Sequence, residues 1–149
     1  MGASTADDRG WGALLAHRRL AILDLSPAGV QPMIDPVTGH VITFNGEIYN
    51  YRDLRRRLEG EGQQFQSSGD TAVMLRALGL HGPAAVSWLR GMFAFASWDQ
   101  KQRRLLLARD HLGIKPLYVA QCADPDKGWS VAFASELRAL LASGLLGTP

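Results

Sequence analysis

The sequence predicts an α+β fold in which antiparallel sheets are covered by helices. Its strand-like segments are not separated by regularly spaced helices, and its helical segments are grouped between them. Almost every residue from Met92 to Trp98 is apolar, which is typical of a strand covered on both faces. A polar turn and a second apolar run, Leu105 to Ala108, follow, so we expect a central β-hairpin.

The segments before this hairpin supply further strands and the first helix. Leu14 to Leu25 is predicted to be a strand, since the proline and glycine of Ser26–Gly29 end it in a turn. Val41 to Phe44 is rich in β-branched and aromatic residues and predicts another strand, which Asn45–Glu47 is expected to break. Asn50 is a favourable N-cap for the amphipathic helix that follows.

Two further helices and two short strands complete the prediction. Ser67–Asp70 offers capping side chains for a second helix and places Asp70 at its entrance. Leu117 to Gln121 and Val131 to Ala134 are predicted strands, and Ser135 is expected to cap a last helix that runs through Leu141.

Composition limits the class of protein. A chain of 149 residues with 46% hydrophobic residues is suited to one domain, and a net charge of +2 is too small to indicate a nucleic acid or a membrane as partner. Cys122 is the only cysteine, so no intramolecular disulfide is expected, as in a cytoplasmic protein. The four histidines are dispersed and predict no metal site. Four arginines between Arg52 and Arg57 are expected to form a solvated helix face.

Four segments, in the right order and spacing, carry a resemblance to a known family. They are His17–Asp24, Phe44–Tyr51, Arg90–Asp99 and Arg109–Tyr118. Together they resemble the class II (N-terminal nucleophile) glutamine amidotransferase domain of glutamine-hydrolysing asparagine synthetases. The resemblance covers about residues 17–141 of a single partial domain and leaves residues 1–16 unmatched. It implies an Ntn-hydrolase sandwich of two antiparallel sheets between helical layers, from which the first strand and helix are expected to be missing.

The resemblance also implies a glutamine site. In the family, ammonia is released from glutamine, and the amide of Asn45 with the backbone N–H of Gly46 would stabilise the oxyanion. Arg19 would bind the glutamine carboxylate and Asp70 its ammonium. Backbone groups of Leu20, Ile22 and Glu47 would complete the binding site. The residues alone also allow other interpretations. Arg19 could be a solvated strand arginine, Asn45-Gly46 a plain turn, and Asp70 a helix cap.

The sequence departs from the family in two ways. Family members begin with Met-Cys-Gly and use the N-terminal cysteine as nucleophile, whereas no cysteine lies among Met1 to Ala16. No nucleotide-binding segment of the synthetase type follows Leu141. We therefore expect a piece truncated at both ends that is inactive alone, with ATP and magnesium needed only in the missing synthetase domain.

The partners follow from the same resemblance. We expect L-glutamine and a synthetase domain or subunit, no nucleic acid and no membrane, while assembly into a homodimer is left open. Two alternatives remain: a non-catalytic glutaminase-like scaffold, or the amidotransferase half of a sister branch, either β-lactam synthetase-like or peptide-cyclising. Arg109–Asp110 and Gly113–Pro116 match the family, and their simplest role is to shape a loop.

Overall fold

The computed structural model describes residues 2–6, 12–18 and 30–147. In chain order the elements are β1 (Gly2–Ala6), β2 (Gly12–Ala16), β3 (Met33–Ile34), β4 (Val41–Ile48), α1 (Tyr51–Gly60), α2 (Asp70–His81), β5 (Gly91–Asp99), β6 (Arg104–Arg109), β7 (Tyr118–Gln121), β8 (Val131–Ala134) and α3 (Leu137–Ala142). Short 3-10 helices span Gly82–Trp88 and Pro125–Lys127. The fold is α+β, as predicted.

The described strands form three antiparallel sheets. The largest has the order β3-β4-β5-β6, while β1 pairs with β2 and β7 pairs with β8. The predicted hairpin is confirmed, because Trp98 lies opposite Leu105 in the register of β5 and β6. β4 and β5 pair along eight residues, from Val41 opposite Trp98 to Ile48 opposite Gly91.

The four-stranded sheet is covered on both faces. On one face Ile42, Phe44 and Phe95 pack against buried leucines of α1 and α2 and against Val73. On the other face Val41 and Trp98 pack with a smaller group that includes Leu15 of β2. Alternate residues of a strand point to opposite faces, so both sets of β5 side chains are buried. This confirms the interpretation of the apolar segment Met92 to Trp98.

The structure corrects two predicted strand ends. Asn45–Glu47 does not break β4, which continues to Ile48 because these residues pair with Met92–Ala94. The strand predicted for Leu14 to Leu25 ends at Ala16, and residues 17 and 18 are not in a strand. Residues 19–29, the rest of that prediction, lie outside the described residues.

The predicted helices are present and Asn50 occupies the predicted N-cap position of α1, but none of the three helices has a side-chain cap hydrogen bond. The Asn50 side chain lies at the start of α1 without capping it, and donates to the carbonyl of Trp88 while accepting from the N–H of Arg90. Gly69 precedes α2, and Glu136 rather than Ser135 precedes α3, in both cases without a side-chain cap. At Asn50 and Asp70, tertiary hydrogen bonds have thus replaced the local ones that the sequence suggested.

The basic face of α1 is compensated within the helix. Arg55, Arg56 and Arg57 pair with Glu59, Asp53 and Glu61, respectively. Arginine pairs one turn apart on an exposed helix add little stability, but they neutralise the face locally. None of the helices in the described ranges is long and apolar enough to cross a membrane.

A buried ion pair joins the loop before β4 to α2. Asp35 is 4% exposed and Arg76 is 5% exposed. The guanidinium of Arg76 donates to both carboxylate oxygens of Asp35 at 2.8–3.0 Å and to Gln63 at 2.9 Å. Burial would raise the pKa of Asp35, but the hydrogen bonds and charge of Arg76, with a hydrogen bond from Thr38, outweigh it and lower that pKa.

Candidate functional site

The candidate site lies along the edge of β4 that faces away from β5. Among the described strands β3 covers only the beginning of this edge, since its pairing stops at Val41 and Ile42. In an antiparallel strand alternate residues direct their N–H groups to opposite neighbours. Tyr49, just after β4, donates to Arg90 on the β5 side, so odd-numbered residues face β5. Even-numbered residues therefore face the open edge.

Two of the N–H groups on this edge donate hydrogen bonds to side chains. The N–H of Phe44 donates to Oε1 of Gln31 at 2.6 Å, and the N–H of Ile48 donates to Oδ2 of Asp70 at 2.9 Å. Gly46 lies midway between them. Its N–H points to the same edge, where no residue of the described ranges accepts from it.

The opposite strand confirms this direction. Phe93 is the register partner of Gly46, but the N–H of Phe93 donates to Asp110 at 3.1 Å, away from β4. The carbonyl of Phe93 likewise accepts from the N–H of Asp110 at 2.8 Å. Phe93 therefore leaves the N–H of Gly46 free to bind a ligand.

Asp70 gives the edge a buried negative end. It is the first residue of α2, is 5% exposed, and forms no salt bridge with any cation in the described ranges. Burial raises the pKa of Asp70 above its ordinary value, and hydrogen bonds from the backbone N–H of Ile48 and from Thr71 oppose that shift only in part. A desolvated carboxylate without a counter-ion favours a cationic ligand.

Of the remaining predicted residues, Asn45 and Glu47 lie in the described ranges and the other three do not. The Asn45 side chain is exposed and forms no hydrogen bond with the described residues, so its amide is available. The backbone of Glu47 faces β5 opposite Met92, and its part in glutamine binding stays a prediction. Arg19, Leu20 and Ile22 lie outside the described residues, and their roles stay predictions.

A loop behind the site is held by Asp110, in agreement with the loop-shaping role that the sequence suggested. Asp110 is 6% exposed and accepts from the backbone N–H groups of Phe93, Leu112, Ile114 and Lys115 at 2.9–3.1 Å. Burial acts to raise the pKa of Asp110, but these four hydrogen bonds lower it to about 2. Asp110 therefore anchors both the loop and the strand that lies opposite Gly46.

We expect Asp110→Asn to loosen this loop selectively. The amide keeps an acceptor oxygen but replaces the other with a donor that faces backbone N–H groups. Amide hydrogen exchange at Ile114 and Lys115 should become faster, while exchange within α1 should not change. In the wild type the same acceleration should appear as the pH falls towards 2, because the folded-state pKa is depressed. Unchanged exchange in the variant would contradict this account.

Comparison with known proteins identifies the family. A family model described as a glutamine amidotransferase domain matches residues 4–148. The chain belongs to this family. This amidotransferase domain is 40% identical over 141 residues to asparagine synthetase [glutamine-hydrolyzing] 3 of Bacillus subtilis (strain 168), covering 91% of the chain and 22% of that protein. Asparagine synthetase B [glutamine-hydrolyzing] of Escherichia coli (strain K12) is 43% identical over 129 residues, covering 87% of the chain and 22% of that protein.

Solved structures agree with the fold of the amidotransferase domain. The glutamine phosphoribosylpyrophosphate amidotransferase of B. subtilis, complexed with ADP and GMP, superposes with a TM-score of 0.67 at 26% sequence identity. The match covers 86% of this chain and 28% of that chain. The predicted Ntn-hydrolase fold class and the family resemblance are thereby confirmed. The chain spans about a fifth of the length of the curated relatives named above.

The described residues show neither a metal-binding cluster nor a thiol on the β4 edge. Within the described ranges no group of three or more His, Cys, Asp or Glu side chains could hold a metal ion. Cys122 follows β7, and its Sγ lies 3.5 Å from the carbonyl of Asp124, in a turn rather than on the β4 edge. The described groups of this edge offer hydrogen bonding and charge.

Proposed function

We propose that this domain binds L-glutamine along the open edge of β4. The observation that supports this is the free N–H of Gly46, two residues from the N–H that Asp70 occupies. Residues two apart on a strand are separated by about 7 Å. Glutamine spans roughly 5 Å from its ammonium nitrogen to its side-chain amide, as four covalent bonds allow. One amino acid can therefore reach both groups at once.

In this pose the charge and hydrogen-bonding groups at each end of glutamine are complementary to groups of the protein. The ammonium pairs with the carboxylate of Asp70, and the side-chain carbonyl accepts from the N–H of Gly46 and from the amide of Asn45. Arg19 is proposed to bind the α-carboxylate, with Leu20 and Ile22 beside it. Such donors stabilise the oxyanion more than the neutral amide, which suits a site for amide hydrolysis.

Hydrolysis requires a nucleophile in addition to this binding edge. In the mechanism we propose, a cysteine thiolate adds to the amide carbon, and the oxyanion collapses to a thioester as ammonia leaves with a proton from the nucleophile's own amine. Water then hydrolyses the thioester, which releases glutamate and restores the thiol. The sequence contains one cysteine, Cys122, which lies away from the β4 edge. Ammonia release by this chain alone is therefore expected at background, and robust release would overturn the proposed mechanism.

The wider role we propose is to supply ammonia for ATP-dependent amidation of aspartate, as the names of the relatives suggest. ATP and magnesium would then bind to a synthetase domain or subunit and not to this domain. A cytoplasmic location suits a chain with a single cysteine. Self-association into a homodimer is a separate proposal, which sedimentation of the purified chain tests directly.

Calorimetric titration with glutamine tests the proposed binding site. Asp70→Asn keeps the size of the side chain and an acceptor for Ile48 but removes the charge, so we expect binding to weaken by about tenfold to a hundredfold. Asp53→Asn is the matched control, because Asp53 lies on the exposed face of α1 and pairs with Arg56. Equal affinity in the two variants would overturn the ammonium assignment, and no binding by the wild type would overturn the proposed function.

Glutamine binding should also depend on pH. The ammonium requires an ionised Asp70, and burial raises the pKa of this carboxyl. Affinity should therefore be constant near neutral pH and fall as the pH drops through the raised pKa. An affinity that is independent of pH down to the ordinary value of 3.8 would contradict this.

A further inference from the structure

We infer that Gln31 sets the specificity of the glutamine site by closing it at the end that receives the side-chain amide. This rests on the proposed function, because it takes the ammonium to lie at Asp70. Gln31 is 7% exposed, and its Oε1 accepts from the N–H of Phe44 at 2.6 Å. Its carboxamide therefore occupies the strand edge two residues beyond Gly46, on the side opposite to Asp70.

The two side chains bound a slot of defined length. From the N–H of Ile48 to that of Phe44 is four residues, or about 13 Å along the edge. Asp70 fills one end and Gln31 the other, so Gly46 is the position left for a ligand. Glutamine takes up roughly 5 Å, and a hydrogen-bonding or contact distance of about 3 Å is needed at each end. The part of the slot that remains unfilled is little longer than one covalent bond.

The length of the slot limits which substrates can bind in it. A free amino acid with a primary amide fits, whereas each carbon attached to the amide nitrogen extends the ligand by about 1.5 Å towards Gln31. An extended peptide cannot continue along the edge, because the next N–H group in each direction is occupied by a side chain. Gln31 thus excludes N-alkylated glutamines at the amide end of the slot.

The test compares the affinities of glutamine and γ-N-ethylglutamine. We expect the wild type to bind the N-ethyl amide about tenfold more weakly, and Gln31→Ala to reduce this difference to about twofold. The ratio of the two affinities is the readout, since a general loss of stability would weaken both ligands together. Gln31→Glu, which keeps the shape and an acceptor for Phe44, should retain the discrimination.

Gln63→Ala is the matched control, because it removes a carboxamide that binds Arg76 elsewhere. If the wild type binds glutamine but Gln31→Ala discriminates as strongly as the wild type, the inference is wrong and the proposed function stands. If the wild type binds no glutamine, the proposed function fails first. Should Gln31→Ala not fold, the N-methyl, N-ethyl and N-propyl amides are compared on the wild type, where equal affinities would also overturn the inference.

Discussion

Gly46→Ala is expected to destabilise the domain by about 3 kcal/mol or more and to abolish glutamine binding. A Cβ at Gly46 would overlap the carbonyl oxygen of Met92 and lie 2.7 Å from the Cα of Phe93. These are backbone atoms of the paired strand, so they cannot move aside without breaking the pairing. The backbone φ of 151° adds strain for any residue with a side chain.

Urea unfolding and glutamine titration measure the two effects of this substitution. Gly60→Ala is the control, because Gly60 ends α1 and a Cβ there meets nothing within 4 Å. That variant should be as stable as the wild type or slightly more so. A Gly46→Ala protein with the unfolding midpoint of the wild type would show that β4 and β5 do not approach each other as described.

Arg76→Met is expected to cost about 3–5 kcal/mol of unfolding free energy. The substitution leaves Asp35 buried and without its partner, which is far less favourable than removing an exposed pair. Arg56→Met removes the exposed pair with Asp53 and should change stability by no more than about 1 kcal/mol. Chemical denaturation of both variants gives the comparison, and similar losses would mean that the Asp35 pair is not desolvated.

The pH dependence of the Asp35 pair has a defined sign. The folded-state pKa of Asp35 lies below its ordinary value of 3.8, so the stabilisation is fully present above that value. It is lost as the pH falls towards the folded-state pKa. The difference in unfolding free energy between the wild type and Asp35→Asn should thus be constant near neutral pH and shrink below 3.8.

Much of the fold could be predicted because local patterns agreed with tertiary packing. The apolar run from Met92 to Trp98 contains both faces of a central strand, and the spacing of Tyr51, Leu54 and Leu58 defines one face of α1. Segments with strong periodicity need little information from elsewhere in the chain. The family motifs then indicated Asn45, Gly46 and Asp70 as candidate ligand contacts.

The errors arose where distant residues decide the local structure. Asn-Gly favours a turn in isolation, but pairing with Met92–Ala94 keeps Asn45 and Gly46 in the strand. The role of Gln31 could not be predicted, because it depends on an N–H group that comes close only in the folded chain. A loop-shaping role was predicted for Asp110, but its contact with Phe93 also depends on the folded chain. The aspartate between β6 and the following glycine-containing turn was the only local signal for that loop.

The occupied edge of β4 also affects how the protein behaves at high concentration. An exposed strand edge can recruit a strand from another molecule, because it presents a row of unpaired N–H and C=O groups. Gln31 and Asp70 leave a single free N–H between them in the described chain. We therefore expect less intermolecular β-sheet extension at this edge, so the groups that shape a ligand site would also reduce aggregation.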